Sequence, residues 1–297
     1  MKILLTGATG FIGSNFARAA IARGHQIAGL ITPGRAIPAD LDANKNFTWL
    51  RGTLDDAPWR DIASFHADTC VHSAWITTPG VYLESPENFR FLESSLDFLR
   101  RARECNIRHV VGIGTCIEYK ISHKKLSEDT TPLAPATTYA RCKNDLRIAL
   151  EAEAAANNDS LCWARVFYPY GPGEHPSRLC SSIIHKLSHK EKIVLKTPGS
   201  TKDYIYIDDL ATALLAVVEK KLHGPINLGT GIGISVREIA RGIAELLDKP
   251  ALVEELGPPE MDPLGYVVAD ASKLHALGWR PAFGLERGLK ALVLARK

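Results

Sequence analysis

The sequence predicts an α/β fold in which a doubly wound parallel sheet is followed by a smaller C-terminal α/β lobe. Three observations carry this. Short apolar runs alternate with segments of helical spacing through most of the chain. The first run, Ile3 to Leu5, leads into Gly7, Gly10 and Gly13 at three-residue steps and then a helix pattern from Phe11 to Arg23. From Glu174 the composition shifts towards His, Ser and Lys, where a second lobe is expected to begin.

The opening turn is the most informative stretch. Strand, glycine turn and helix in that order let bare backbone approach a pyrophosphate, and the helix start offers free N–H groups and a positive dipole end. This is the Rossmann arrangement. Thr9, Phe11 and Ile12 lie on the same turn and join the three glycines as candidate cofactor contacts. The spacing is G-x-x-G-x-x-G, wider at its first step than the common dinucleotide fingerprint. In the form TGATGFIG it resembles the extended short-chain dehydrogenase/reductase family, which includes nucleotide-sugar epimerases, dehydratases and 4-ketoreductases.

Composition narrows the class. The 297 residues suffice for a sizeable core, and 45% hydrophobic with 23% charged residues is the balance of a soluble globular protein. A net charge of +3, with no basic cluster interleaved with aromatics, gives no reason to expect nucleic acid or a membrane surface as partner. The apolar start is the first strand and not a signal peptide, no apolar run reaches spanning length, and a cytoplasmic location is the expectation. Cys70, Cys105, Cys116, Cys142, Cys162 and Cys180 form no C-x-x-C pair and stand near no histidine at zinc-ligand spacing. They read as reduced, packed thiols, and no metal site is expected.

Along the chain, Gln26 to Thr32 is a second strand. An acid about twenty residues after the glycines accepts the adenosine ribose hydroxyls in NAD sites. Here that place holds Ile31, Thr32 and Pro33; the first acid is Asp40, and Arg35 is near. A cation without a carboxylate suits a 2′-phosphate, so NADP(H) is favoured and NAD(H) possible. Phe47 to Leu50 is a third strand. The family usually follows it with Gly-Asp-Leu; this chain has Gly52-Thr53-Leu54, leaving Thr53 and Leu54 as the implied adenine contacts. Asp68 to Ala74 is a fourth strand, and the resemblance places its small pair, Ser73 and Ala74, at the nicotinamide end, with His72 packed beside the strand. The loop Trp75 to Ser85 then lies where loops line the ligand crevice, and makes Trp75 and Thr77 candidate substrate contacts. A helix follows over Glu87 to Cys105, with Arg100, Arg101 and Arg103 favourably placed at its end. A fifth strand, Arg108 to Thr115, delivers the Thr115 hydroxyl at its carboxyl end.

Tyr139 and Lys143, at i and i+4 early in a helix pattern that reaches Ala156, share one helix face. A neighbouring ammonium favours phenolate, so a lowered Tyr139 pKa useful in acid/base work is expected. Taken alone, Y-x-x-x-K also describes an exposed pair; with the glycine turn and Thr115 it becomes specific. The resemblance implies that Thr115 bonds the reacting sugar oxygen, Tyr139 handles its proton, and Lys143 holds the nicotinamide ribose. Cys116 and Ile117 stand where the 4,6-dehydratases of the family carry Asp-Glu, so that elimination is not expected; Cys116, beside the site, is a candidate substrate contact that reads as packing rather than as a nucleophile.

A sixth strand runs from Ser160 to Phe167, and Arg165, Phe167, Tyr170, Gly171 and Pro172 match a further family segment, with Tyr168 where its Asn contacts the sugar nucleotide. Arg178, a candidate substrate contact, opens the second lobe, followed by a helix pattern from Ile183 to Leu187 and a short strand, Ile193 to Lys196. Lys202, the basic member of the next family-like segment, is expected to meet a substrate phosphate, and Asp208 to cap the helix through Val218. Gly224 to Gly231 is a strand and turn, and Ser235 with Glu238 forms a capping box. Tyr266 to Lys273 and Leu277 to Pro281 match the family's C-terminal signature, while Met261 stands about where the family usually keeps a diphosphate-gripping Arg. The expected organisation is a dinucleotide-binding domain of residues 1–173, joined by 202–228, and a substrate lobe of 174–201 and 229–297. The expected function is a nucleotide-sugar 4-ketoreductase of the CDP-abequose synthase type. The alternatives are a 4-epimerase that retains its cofactor and a non-catalytic dinucleotide-sensing regulator. The resemblance also implies a homodimer through the helices around 87–105 and 138–157.

Overall fold

The computed structural model describes residues 1–255, 257 and 260–296. In chain order its first six strands are Lys2–Thr6 (β1), Gln26–Ile31 (β2), Phe47–Arg51 (β3), Thr69–His72 (β4), His109–Thr115 (β5) and Ser160–Val166 (β6). All but β3, which lies at the sheet edge and is half exposed, are short, almost continuously buried runs, the signature of parallel strands covered on both faces. Next come Tyr168–Tyr170 (β7), Ile193–Leu195 (β8), Thr201–Lys202 (β9), Tyr204–Tyr206 (β10) and Gly224–Leu228 (β11). Ile234–Ser235 (β12), Val253–Glu255 (β13) and Tyr266–Val267 (β14) complete the set.

The main sheet has seven parallel strands in the order β11-β6-β5-β4-β1-β2-β3. Strand order reverses between β1 and β4, and the crevice outside that reversal is where such sheets take ligands. Helices cover both faces. Phe11–Ala22 (α1) packs with Ile207–Glu219 (here α7), while Glu87–Glu104 (α4) packs with Thr138–Asn157 (α5). Between these in sequence lie Ala39–Asp42 (α2), Trp59–Phe65 (α3) and Leu179–Ser188 (α6). Val236–Leu246 (α8), Ser272–Ala276 (α9) and Leu285–Leu294 (α10) end the chain. Among the described residues no helix is long and apolar enough to cross a membrane.

Several boundaries differ from expectation. The fourth strand ends at His72, and the short strand after α6 ends at Leu195. Helix α6 starts at Leu179, four residues before its expected start. A parallel pair, β7 with β10, joins Tyr168–Tyr170 to Tyr204–Tyr206, a pairing that short polar-aromatic runs do not announce. Asp208 is not the cap of α7. The chain passes from β10 into the helix directly, so the extended residue before it is Tyr206, and Asp208 sits in the first turn. There its charge complements the helix dipole. Its neighbour Asp209 instead accepts the backbone N–H groups of Ala282 (2.8 Å) and Phe283 (2.9 Å), tying the C-terminal segment to α7. The Ser235–Glu238 capping box is formed, with Ser235 N donating to Glu238 Oε2 (2.7 Å) and Glu238 N to Ser235 Oγ (3.1 Å). All six cysteines are free thiols, five of them buried.

One small set of bonds brings the first and fourth strands into register at the crevice. The buried Thr6 Oγ1 accepts both Ser73 N and Ala74 N at 3.1 Å. With its lone pairs so used, the hydroxyl proton turns to His72 Nδ1 (3.0 Å), which leaves the His72 Nε2 proton for Ser95 Oγ of α4 (2.9 Å). Burial and the Lys143 charge push the His72 pKa down to about 3, so the ring is neutral. Thr6→Val keeps the shape and strands two partly buried N–H donors. A loss of about 1–3 kcal/mol in denaturant unfolding is expected; an unchanged midpoint would show that these bonds do not hold the strand ends.

Candidate active site

The glycine turn has the backbone its sequence requires. Gly7 has φ +67°, and a Cβ there would lie 2.8 Å from both Ser73 C and Ala74 N. A Cβ on Gly13 would stand 2.2 Å from Gly7 O, so the helix start rests directly on the turn. Gly10 is the exposed extended residue before α1, and its N–H closes the turn on Gly7 O (2.9 Å). The first bond into the helix runs from Ser14 N to Gly10 O (2.9 Å). Ahead of it, the N–H groups of Phe11, Ile12 and Gly13 have no helical acceptor. No acidic residue stands in that first turn. Free donors, a positive dipole end and no competing carboxylate fit a pyrophosphate.

The adenosine end is less defined. Thr32 and Arg35 lie exposed in the turn after β2. Asp40, the first acid beyond it, is held by Arg18 Nε (2.6 Å) and Nη2 (3.1 Å), which pulls its pKa down. That carboxylate is therefore engaged by α1. The Thr53 hydroxyl accepts Asp56 N (3.0 Å) in its own turn, and Leu54 packs on the apolar cluster under α4.

A cleft of about 380 Å³ opens at the carboxyl ends of β4, β5 and β6. Thr115, Tyr139 and Lys143 all line it, with Ile12 and Ser73 from the cofactor side. So do Trp75, Thr77, Cys116, Tyr168 and Arg178. Thr137 starts α5, its hydroxyl accepting Ala140 N (3.2 Å), and so presents Tyr139 and Lys143 one turn apart. Tyr139 stacks edge-on against Tyr82, ring centroids 4.9 Å apart. Lys143 is buried; its Nζ donates to Ile113 O (2.9 Å) and lies 3.9 Å from the centre of the Trp75 ring.

These surroundings overturn one expectation. The Tyr139 pKa is raised, not lowered: burial is the largest cause, Tyr82, Glu118 and Cys116 add to it, and only Arg178 opposes it. The same burial pulls Lys143 down to about 7, against a smaller upward effect of Glu118. The Cys116 thiol is pushed up to about 12, again by burial, which fits packing. At neutral pH this pocket holds a protonated phenol and thiol, beside an amine poised to lose its proton.

Residues 3–229 match the NAD dependent epimerase/dehydratase family. The chain belongs to that family. It is an enzyme of the short-chain dehydrogenase/reductase type, as its glycine spacing and the Tyr139–Lys143 pair led us to expect. It is 27% identical to the low-salt glycan biosynthesis protein Agl12 of Haloferax volcanii, over 99% of this chain and 97% of the relative. Identity to a UDP-glucose 4-epimerase of Corynebacterium glutamicum is 26%, over 95% of this chain and 91% of that one. A crystal structure of Thermus thermophilus UDP-glucose 4-epimerase in complex with NAD superposes with a TM-score of 0.84. It is 26% identical and covers 99% of this chain and 98% of its own.

Beneath the cleft lies a network that the sequence did not single out. The fully buried Glu118 carboxylate accepts Thr115 N (2.8 Å), Trp163 Nε1 (3.0 Å) and Arg165 Nε (2.8 Å). In the sequence Arg165 belongs to a family-like segment, and nothing marks Glu118. An acid two places before a run of polar loop residues gives no signal of burial; its Trp163 and Arg165 partners are on another strand.

Lys202 departs from expectation. It does not line the cleft: it is buried, its Nζ paired with Asp262 Oδ2 at 2.9 Å and donating also to Leu264 O. The carboxylate and carbonyl meet it from the segment that follows β13, so its charge is spent inside the protein. Met261 is 92% exposed and brings no group to the cleft.

The Lys143 shift has a measurable consequence. In the folded chain the amine loses its proton near pH 7, and in the unfolded chain only near its ordinary 10.5. Between those values the unfolded chain binds more protons, so stability gains with rising pH. The difference in unfolding free energy, wild type minus Lys143→Met, is expected to climb from pH 7 to pH 10. A flat difference would show that the amine keeps its charge in the fold.

Proposed function

We propose that this enzyme transfers hydride at carbon 4 of a nucleotide-linked sugar, as a 4-epimerase that keeps its cofactor between turnovers. The observation that carries the reading is the convergence of Thr115, Tyr139 and Lys143 on one cleft at the mouth of the glycine turn. A nicotinamide dinucleotide, when bound, supplies the reversible hydride acceptor. The chain's own part is to hold and move a proton. Tyr139 exchanges it with the sugar oxygen, and the Thr115 hydroxyl orients that oxygen. Lys143, released from Ile113 O, holds the nicotinamide ribose and steadies the phenolate. The phosphates rest on the free N–H groups at the start of α1, with Ser73 and Ala74 beside the nicotinamide. In this reading residues 174–201 and 229–297 form the substrate lobe. Exposed Phe89 on α4 and Ile148 on α5 support a homodimer through those helices.

Sequence reasoning put a 4-ketoreductase first. Similarity to two UDP-glucose 4-epimerases over nearly the whole chain supports the epimerase instead. The reductase is the second reading on one observation: burial keeps Tyr139 in its acid form, the form from which ketone reduction starts. The two separate in one experiment. Native mass spectrometry of the purified protein is expected to find a retained dinucleotide, and UDP-glucose or a related nucleotide sugar to interconvert with its 4-epimer without net NAD(P)H consumption. Stoichiometric consumption of added NADPH with an NDP-4-ketosugar would establish the reductase. In either case Tyr139→Phe is expected to lower turnover about 10²- to 10⁴-fold with cofactor binding intact. Full retention of biological function in that variant would instead identify a dinucleotide sensor.

Cofactor choice is proposed from the turn after β2. With Asp40 engaged by Arg18, no free carboxylate there favours a 2′-hydroxyl, and Arg35 stands ready for a 2′-phosphate. The T. thermophilus relative was solved with NAD, so the lean towards NADP(H) rests on this chain's own turn. Arg35→Glu is expected to weaken NADPH binding about tenfold and leave NADH within about twofold. Equal effects on both would remove Arg35 from the site.

A further inference from the structure

The cleft contains one cation whose charge is not spent. Lys143 donates to Ile113 O and lies against Trp75. Lys202 lies behind the cleft wall, its Nζ 5.7 Å from the centre of the Tyr168 ring, and its charge is paired with Asp262. Arg178, which lines the cleft at the start of α6, has no side-chain hydrogen bond or ion pair among the described residues. Its guanidinium carbon lies 5.9 Å from the centre of the Tyr82 ring, and Tyr82 packs edge-on against Tyr139. The guanidinium thus sits on the aromatic wall that also holds the phenol. Glu174, the acid among the lining residues, feels the Arg178 charge but makes no ion pair with it, and its Oε1 accepts Ser181 N (2.9 Å) and Ser181 Oγ (2.5 Å). The rest of that wall is apolar or aromatic, from Leu83 and Ile117 to Phe167 and Leu264.

A planar fork of N–H donors, set beside an aromatic ring and left without an acceptor, matches the oxygens of a phosphate or a carboxylate. We propose that Arg178 is the anion anchor of the substrate site, gripping an anionic oxygen group that the substrate itself carries. This rests on the nucleotide-sugar reading. It transfers to Arg178 the role that Lys202 was expected to fill. Two parts of such a substrate offer that chemistry, its diphosphate and a carboxylate on its sugar, and binding measurements separate them.

The test uses the full chain saturated with its dinucleotide. Calorimetry measures binding of UDP, CDP and dTDP, the matching nucleoside, and the UDP-sugar pair UDP-glucose and UDP-glucuronate. The proteins are wild type, Arg178→Gln and Arg178→Lys, with retained dinucleotide as the control for folding. Loss of a charged hydrogen-bonding partner is expected to weaken the preferred nucleoside diphosphate about ten- to hundredfold in Arg178→Gln. Arg178→Lys, which keeps the charge and loses the fork, is expected to fall between, and supplies the answer if the Gln variant does not fold. Equal weakening of UDP and UDP-glucuronate assigns the anchor to the diphosphate. Weakening confined to UDP-glucuronate assigns it to a sugar carboxylate. Binding within about twofold of wild type in both variants overturns the anchor and leaves the nucleotide-sugar reading standing. No binding of any nucleotide or nucleotide sugar to wild type overturns that reading, and the anchor with it.

Discussion

The Glu118–Arg165 ion pair is the constraint on which the cleft depends. Both side chains are essentially sealed, at 0% and 2% exposed. A buried pair is tolerable only when its remaining hydrogen-bonding capacity is met. Here it is. Glu118 takes up the Thr115 N–H and the Trp163 indole, and Arg165 Nη1 donates onward to the Tyr119 hydroxyl (3.1 Å). Tyr119 in turn donates to Asn227 Oδ1 (2.8 Å), whose amide reaches Leu126 O (2.8 Å) and Asp270 O (3.2 Å). One continuous chain of bonds therefore runs from the end of β5, where Thr115 sits, to the C-terminal segment. Removing either charge would leave the other uncompensated in the interior, at a cost of about 3–5 kcal/mol. The glycines of β5 belong to the same device. A Cβ on Gly112 would lie 2.5 Å, and one on Gly114 2.3 Å, from the Trp163 ring. Only bare backbone lets that indole lie flat and deliver its N–H to Glu118.

Burial sets the electrostatics of the cleft more strongly than pairing does. Tyr139 and Cys116 are pushed up, and Lys143 and His72 down, all chiefly by loss of water. Each shift favours the neutral form. An i, i+4 phenol and ammonium therefore do not make a phenolate by proximity alone. Ionisation of Tyr139 becomes affordable when positive charge enters the cleft or when Lys143 is drawn off Ile113 O towards the phenol. Glu118 works against it: its negative charge raises the Tyr139 pKa while supporting the protonated Lys143. The acid/base set is thus arranged to change state with its ligands.

Much of this was legible in the sequence, and the reasons are local. The glycine turn requires φ > 0 at Gly7 and close backbone approach at Gly13, and only glycine meets both, so the letters speak directly. Buried parallel strands read as apolar runs, and Tyr139 and Lys143 carry their geometry in their spacing. The misreadings concern partners distant in sequence. Lys202 looked free because Asp262, sixty residues on, is not visible from its neighbours. Glu118 carries no mark of its role because Trp163 and Arg165 come from the adjacent strand. Asp208 has a cap's composition, yet a strand runs straight into α7 and leaves no loop residue to cap it. The Tyr139 pKa was misjudged because an adjacent cation is visible in sequence while desolvation is not.

The same distinction explains how sites far apart in sequence keep a common register. Gly7 and Tyr139 belong to different elements, and the segment 73–86 spans the gap between them. At one end its Ser73 and Ala74 N–H groups bind Thr6, one residue before the turn. In the middle, Trp75 Nε1 donates to Asn88 Oδ1 (2.8 Å), and the same Asn88 amide donates to Tyr82 O (2.7 Å) and Ser85 O (2.8 Å). At the far end Leu83 O accepts Tyr139 N (2.9 Å), and Glu84 accepts Thr138 N (3.2 Å) and Oγ1 (2.7 Å) at the positive start of α5. A buried asparagine with its donors and acceptor all engaged cannot shift without breaking several bonds at once. The loop expected to line the crevice does line it, and by its bonding it is also a spacer. It fixes how far the phenol stands from the phosphate-binding turn, and so which atom of a bound dinucleotide the phenol can face.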